Sequence, residues 1–168
     1  MDHNFYLSVL NDQKQEEIAK IIQTNEYTSK YGLVLKQEDI QNIIERRLDV
    51  LKETQRLEFG EWAIDKIIKE FCDSPYISQQ DYAETIYELI DIFYYYKNET
   101  QDLVPDDELI AFMKEHFDGI CQGSLDYLAG TVLDRMCSNV LEGKPMDYMV
   151  DTEKIEAEEE EEDEWENE

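Results

Sequence analysis

Positive charge is what this chain has least of: 15 Lys and Arg stand against 42 Asp and Glu, a net charge of −27 at pH 7. A field of that sign repels phosphate backbones and anionic bilayers and favours basic proteins, polyamines or divalent cations. Direct binding to nucleic acid or to a membrane is therefore not expected. Cysteine is scarce as well. Cys72, Cys121 and Cys137 form no CxxC pair, and an odd set, partly inside apolar helical patterns, reads as thiols packed as small hydrophobes in a reducing compartment. Long apolar runs are missing: the longest, Ile92 to Tyr96, is far short of the roughly 20 residues a membrane-spanning helix needs. The opening residues Met1-Asp2-His3-Asn4-Phe5 lack the basic and apolar parts of a signal peptide, so a cytoplasmic location is expected.

Catalytic spacing is also absent. His116 has no second His, Cys or acid at a ligand or triad spacing, and reads as a partly buried or surface group near a helix end. Asp106-Asp107-Glu108 invites a metal reading, but an oxygen-ligated cation needs about six convergent ligands, and no EF-hand spacing is present. Three acids after Pro105 are better explained as first-turn residues serving a helix dipole. Arg46-Arg47, with Arg56 beyond, is the densest basic patch. It could grip a phosphate or carboxylate bidentately, although pairing with nearby acids is the simpler account. No catalytic, cofactor-binding or metal residue is assigned on this basis, and no cofactor is expected.

What the chain does have is helical periodicity, organised around the stretch from Ser74 to Asn98. Tyr82, Ile86, Leu89, Ile90, Phe93 and Lys97 recur at three- and four-residue steps, the stripe of a buried helix face. Ala83, Tyr87 and Tyr94 flank it, and at Phe93-Tyr94-Tyr95-Tyr96 the apolar surface spreads round most of the circumference, as in the middle of a bundle. The remaining line of Glu84, Glu88 and Asp91 must reach solvent or cations. Ser78 and Asp81 resemble a capping box, which predicts a start near Gln79. Aromatic residues at this spacing belong to a core, with their hydroxyls reaching its rim, more than to a stacking platform.

Around it, residues 1–10 read as an extended arm. A first helix is predicted from about Asp12 to Thr28, carrying Ile18, Ile21 and Ile22, and ended by Gly32. The second spans about Gln37 to Thr54, with Ile40, Ile43, Ile44, Leu48 and Leu51 inward. The third runs from Glu61 to Asp73, with Trp62 on its apolar side. The fifth follows Pro105, and Gly119 and Gly123 bracket a tight link. The sixth is capped by Ser124, runs through Val140 and stops at Gly143 and Pro145. Its Gly130 predicts close helix approach.

The expected fold class is all-α: a single-domain helical bundle of about six helices, residues 1–150, with a disordered acidic C-terminal tail, residues 151–168. The tail holds 12 acidic groups and one Lys, a net −11 that leaves −16 on residues 1–150. The unbroken run Glu158 to Glu162 cannot collapse, and Trp165 is the tail's only aromatic residue.

The run Phe71-Cys72-Asp73-Ser74-Pro75-Tyr76-Ile77, with Phe93-Tyr94-Tyr95-Tyr96-Lys97-Asn98-Glu99, Asp106-Asp107-Glu108-Leu109-Ile110 and Gly123-Ser124-Leu125, resembles a family of small bacterial proteins known only as a domain of unknown function. The resemblance covers about residues 30–140 and implies a bacterial cytoplasmic origin, with no activity or ligand attached. Three functions remain in view. The favoured one is a non-enzymatic helical protein-interaction or accessory module whose acidic surface meets a basic partner. The alternatives are an acidic nucleic-acid mimic acting on a basic partner, and a metal-dependent hydrolase using Asp106, Asp107, Glu108 or His116.

Overall fold

The computed structural model describes residues 3–58 and 63–149, with side chains from Asp12 onward. Among them there is no strand, and the architecture is all-α. α1 (His3–Thr28) is followed by a 3-10 turn, Ser29–Tyr31, and Gly32 then adopts φ 77°, the left-handed conformation that closes a helix end. α2 is Gln37–Glu53, α3 Ala63–Phe71, α4 Tyr82–Glu99 and α5 Asp106–Asp118. The last rod is one helix in three pieces: α6 (Leu125–Tyr127), a π turn (Leu128–Val132) and α7 (Leu133–Leu141).

α4 touches α2, α3, α5 and α7, and its predicted stripe is buried throughout, from Tyr82 to Lys97, with Phe93 only 1% exposed. Each such large apolar side chain contributes about 1.5–3 kcal/mol when fully removed from water. The core continues through Ile18 and Ile21 of α1, Ile40, Ile43 and Ile44 of α2, Ile64, Ile67, Ile68 and Phe71 of α3, Leu109 to Phe117 of α5, and Leu133 and Met136 of α7. The Leu33-Val34-Leu35 connector is pinned by Asn25, whose side chain both donates to the Leu35 carbonyl (2.9 Å) and accepts from its N–H (2.8 Å). Leu33 and Leu35 are buried while Val34 faces out.

Several expectations are corrected. The extended arm is helical: α1 begins at His3, because no Gly or Pro interrupts the chain before Gly32 and an existing helix extends at little cost. α4 starts at Tyr82, not Gln79, and Asp81 makes no side-chain cap bond. Gln79 is held outside the helix by the Val34 backbone, which its amide oxygen accepts from (2.7 Å) and its amide nitrogen donates to (2.9 Å). Leu48 is 46% exposed, and the buried places on that part of α2 go to Arg47 and Val50. Arg47 can be inside because Glu58 comes with it. Gly130 sits in the π turn facing open space, with no atom within 4 Å of where a Cβ would stand, so it marks no close helix approach. Close approach occurs instead at Gly123: its φ is 83°, and a Cβ there would lie 2.6 Å from Tyr76 Cβ. The expectations for Trp62, for the tail and for a boundary at residue 151 lie outside the described residues.

Candidate functional site

The residues singled out for chemistry do not converge. Asp106 pairs with Lys97 of α4 at 2.9 Å, Asp107 pairs with Lys66 of α3 at 2.9 Å, and Glu108 is exposed. Consecutive positions on a helix point in different directions, so Asp106 and Asp107 pair with different helices while Glu108 faces solvent. Among the described residues no group of three or more His, Cys, Asp or Glu is placed to hold a metal ion.

The basic patch is likewise absorbed into ion pairs. Arg46 Nε donates to Asp91 at 2.6 Å, Arg47 Nε to Glu58 at 3.3 Å, and Arg56 makes a two-pronged contact with Asp102. Glu58 is the busiest of these carboxylates: it also accepts from the Ala63 N–H at the start of α3 (2.9 Å) and from the Tyr94 hydroxyl. Burial, then the adjacent Glu58 carboxylate, holds the Tyr94 phenol well above its ordinary range. Lys97 is buried, with its amine donating to the Val104 carbonyl at 2.6 Å. Of the five tyrosines on α4, Tyr82, Tyr94 and Tyr96 are buried and Tyr87 is half-buried, while Tyr95 is 55% exposed. Burial pushes the thiols of Cys72, Cys121 and Cys137 up, as expected of packed rather than reactive cysteines.

A site emerges where sequence reasoning did not look. Between the end of α5, the π turn and the segment after α7 lies a cleft of about 670 Å³. Phe112 and His116 form one wall, their rings stacked at 4.2 Å and tilted by 51°. The π turn supplies Thr131 and Val132, with Tyr127 and Arg135 from the helices on either side. The third wall is a strap, residues 145–149, contributing Met146, Asp147, Tyr148 and Met149.

The strap is built rather than loosely laid down. Asn139 of α7 is buried, and its Nδ2 donates to the carbonyls of Met146 (3.2 Å) and Tyr148 (3.0 Å). The Tyr148 N–H donates to Pro145 (3.1 Å), and the Lys144 amine lies 4.8 Å from the centre of the Tyr148 ring. The one available signal was composition: two Met and a Tyr follow Pro145 just where the chain otherwise turns polar. The cleft is more apolar than polar, of a size that takes a small molecule or a large side chain. It presents Glu115, His116, Arg135 and Asp147 around apolar walls.

A family model described as "Family of unknown function (DUF6323)" matches residues 20–146. The chain belongs to this family. The match extends the resemblance read from the sequence at both ends and takes in α5, the π turn, α7 and the first part of the strap. No curated protein and no solved structure matches the chain. Among the described residues no helix is long and apolar enough to cross a membrane.

Proposed function

We propose that this DUF6323 member is a non-enzymatic helical interaction module that binds a partner presenting a basic surface, in the cytoplasm of a bacterial cell. The observation that carries the reading is how charge is spent. Described cations, among them Arg46, Arg47, Arg56, Lys66, Lys97 and Lys114, are engaged by carboxylates of the bundle itself. The large acidic excess is left for something outside. Along α4, burial and the neighbouring Glu84, Asp126 and Asp91 hold the Glu88 carboxyl above its usual range. The like-charge share of that shift, secondary to burial, is what a cationic surface would relieve.

Such a partner would be drawn in by long-range attraction, which raises association rates and weakens as salt shortens the Debye length to about 8 Å at physiological ionic strength. The test is capture of a partner from native lysate, followed by association kinetics of the full chain and of residues 1–150 across a salt series. Truncation is expected to slow association and flatten its salt dependence. An association rate indifferent to salt would overturn the reading. Captured partners that bind nucleic acid would point to the mimic form of the same chemistry.

A further inference from the structure

The cleft beside the strap lies at the end of the described chain. Met149, the last described residue, lines it, and the chain beyond carries the net −11 of residues 151–168. We propose that the cleft docks the apolar anchor of a basic amphipathic segment of the partner, an inference that rests on the basic-partner reading above.

Three features select that occupant. The walls leave large apolar surface uncovered: Ile120 is 65% exposed and Tyr127 40%, beside Phe112, Val132, Met146 and Met149. Patches of this kind mark interaction sites when they are contiguous and rimmed by polar groups. The strap offers two methionines, whose unbranched, polarizable side chains adapt to differently shaped apolar anchors. Charge decides among occupants. The charged groups of the lining, Glu115, Arg135 and Asp147, leave a formal −1 with His116 neutral, so the attraction for a cation rests mainly on the net −27 of the whole chain. A second copy of the chain brings another −27. The chain's own Trp165 is flanked by Glu164 and Glu166. Both would enter against repulsion, whereas a helix with one apolar face and a lysine-rich remainder gains on both counts.

The experiment uses the full chain and a labelled synthetic helix of Lys and Leu with one central Trp. Two companion peptides accompany it: one with the Trp and adjacent Leu replaced by Ser, the other with every Lys replaced by Gln. Binding is read by fluorescence anisotropy at physiological ionic strength. Removing the anchor is expected to weaken binding about tenfold or more, as for a central anchor residue. Ile120→Lys, an exposed change that spares the core, is expected to do the same, while Glu84→Gln with Glu88→Gln on α4 costs under about threefold, as for exposed charges. A photo-crosslinker in place of the Trp should label the strap.

If binding needs the lysines but ignores both the anchor and Ile120→Lys, the cleft inference falls and the basic-partner reading stands. If the Gln peptide binds as well as its parent, the partner's basic character is wrong. If neither lysine-bearing peptide binds even at low salt, both fall. If Trp165→Ala tightens binding, or Ile120→Lys breaks a dimer seen by sedimentation, the occupant is the chain itself and the proposal is overturned.

Discussion

The single hydroxyl proton of Tyr96 on α4 is shared between two acceptors, the carbonyl oxygen of Ala129 inside the π turn and the carboxylate of Asp134 on α7. A π turn displaces the regular ladder of backbone hydrogen bonds and leaves carbonyl capacity unused. Tyr96 takes up that capacity from the neighbouring helix. The same contact therefore supports the local widening that brings Thr131 and Val132 to the cleft.

Tyr96→Phe, which keeps the ring and removes the bridge, is expected to destabilise the protein by about 0.5–1.5 kcal/mol, the net worth of a hydrogen bond, because Ala129 is half-buried and Asp134 is exposed. Urea unfolding measures it as a lower midpoint at unchanged slope. A loss below about 0.5 kcal/mol, under the usual worth of one hydrogen bond, would remove Tyr96 as the support of the turn.

The central helix was legible because its evidence is local: Tyr82 to Lys97 repeat at helical steps, and all of them are buried. What escaped depends on partners distant in sequence. The start of α4 is set by Val34 acting on Gln79, 45 residues away. The π turn answers to Tyr96, 33 residues before Ala129. Leu48 loses its inward place because Arg47 follows Glu58 inside, an exchange no periodicity announces. The cleft was invisible for the same reason, since its third wall is a strap without helical pattern, fixed by Asn139. Asp106, Asp107 and Glu108 stand in the first turn of α5 as their spacing predicts, yet the lysine partners of Asp106 and Asp107 on α4 and α3 could not be read from spacing.

The Arg47–Glu58 pair sits with side chains 5% and 12% exposed, and the Arg46–Asp91 pair with 29% and 37%. The two should respond differently to loss of a charge. Glu58→Gln keeps one carbonyl oxygen, which can serve either the Ala63 N–H or the Tyr94 hydroxyl but not both, and removes the charge of Glu58 from beside the Arg47 guanidinium, at a cost of about 3 kcal/mol. Asp91→Asn, at the better-hydrated pair, is expected to cost less than about 1 kcal/mol. Urea midpoints of the two variants make the comparison. Equal effects would contradict the burial of the Arg47 pair.

Alkaline pH supplies the last test, because several buried acids are held neutral by the fold. Burial pushes the Tyr82 phenol up to about 12, and Tyr94 and Tyr96 are raised further by the adjacent carboxylates of Glu58 and Asp134. The three thiols are raised by burial too. At neutral pH these groups are protonated whether the chain is folded or not, so their raised values cost nothing there. As pH climbs past the unfolded values, about 8.5 for Cys and about 10 for Tyr, the unfolded chain releases protons that the folded chain retains. The unfolded state then binds fewer protons, and stability falls with rising pH. Each fully responding group contributes about 1.4 kcal/mol per pH unit, so the three tyrosines together steepen the loss to about 4 kcal/mol per unit above pH 10. Urea unfolding at intervals from about pH 8 to pH 11 measures the slope across those unfolded values. Tyr82→Phe should remove about a third of the tyrosine part. It should do so with little effect at neutral pH, because the enclosed Tyr82 hydroxyl lies beside Thr28 without a well-formed hydrogen bond, and the Thr28 hydroxyl keeps its own bond to the Leu33 carbonyl. Stability that stayed level through this range would mean that the phenols ionise as readily in the folded protein as in the unfolded chain, and Tyr82 and Tyr94 could not then occupy the interior of the bundle.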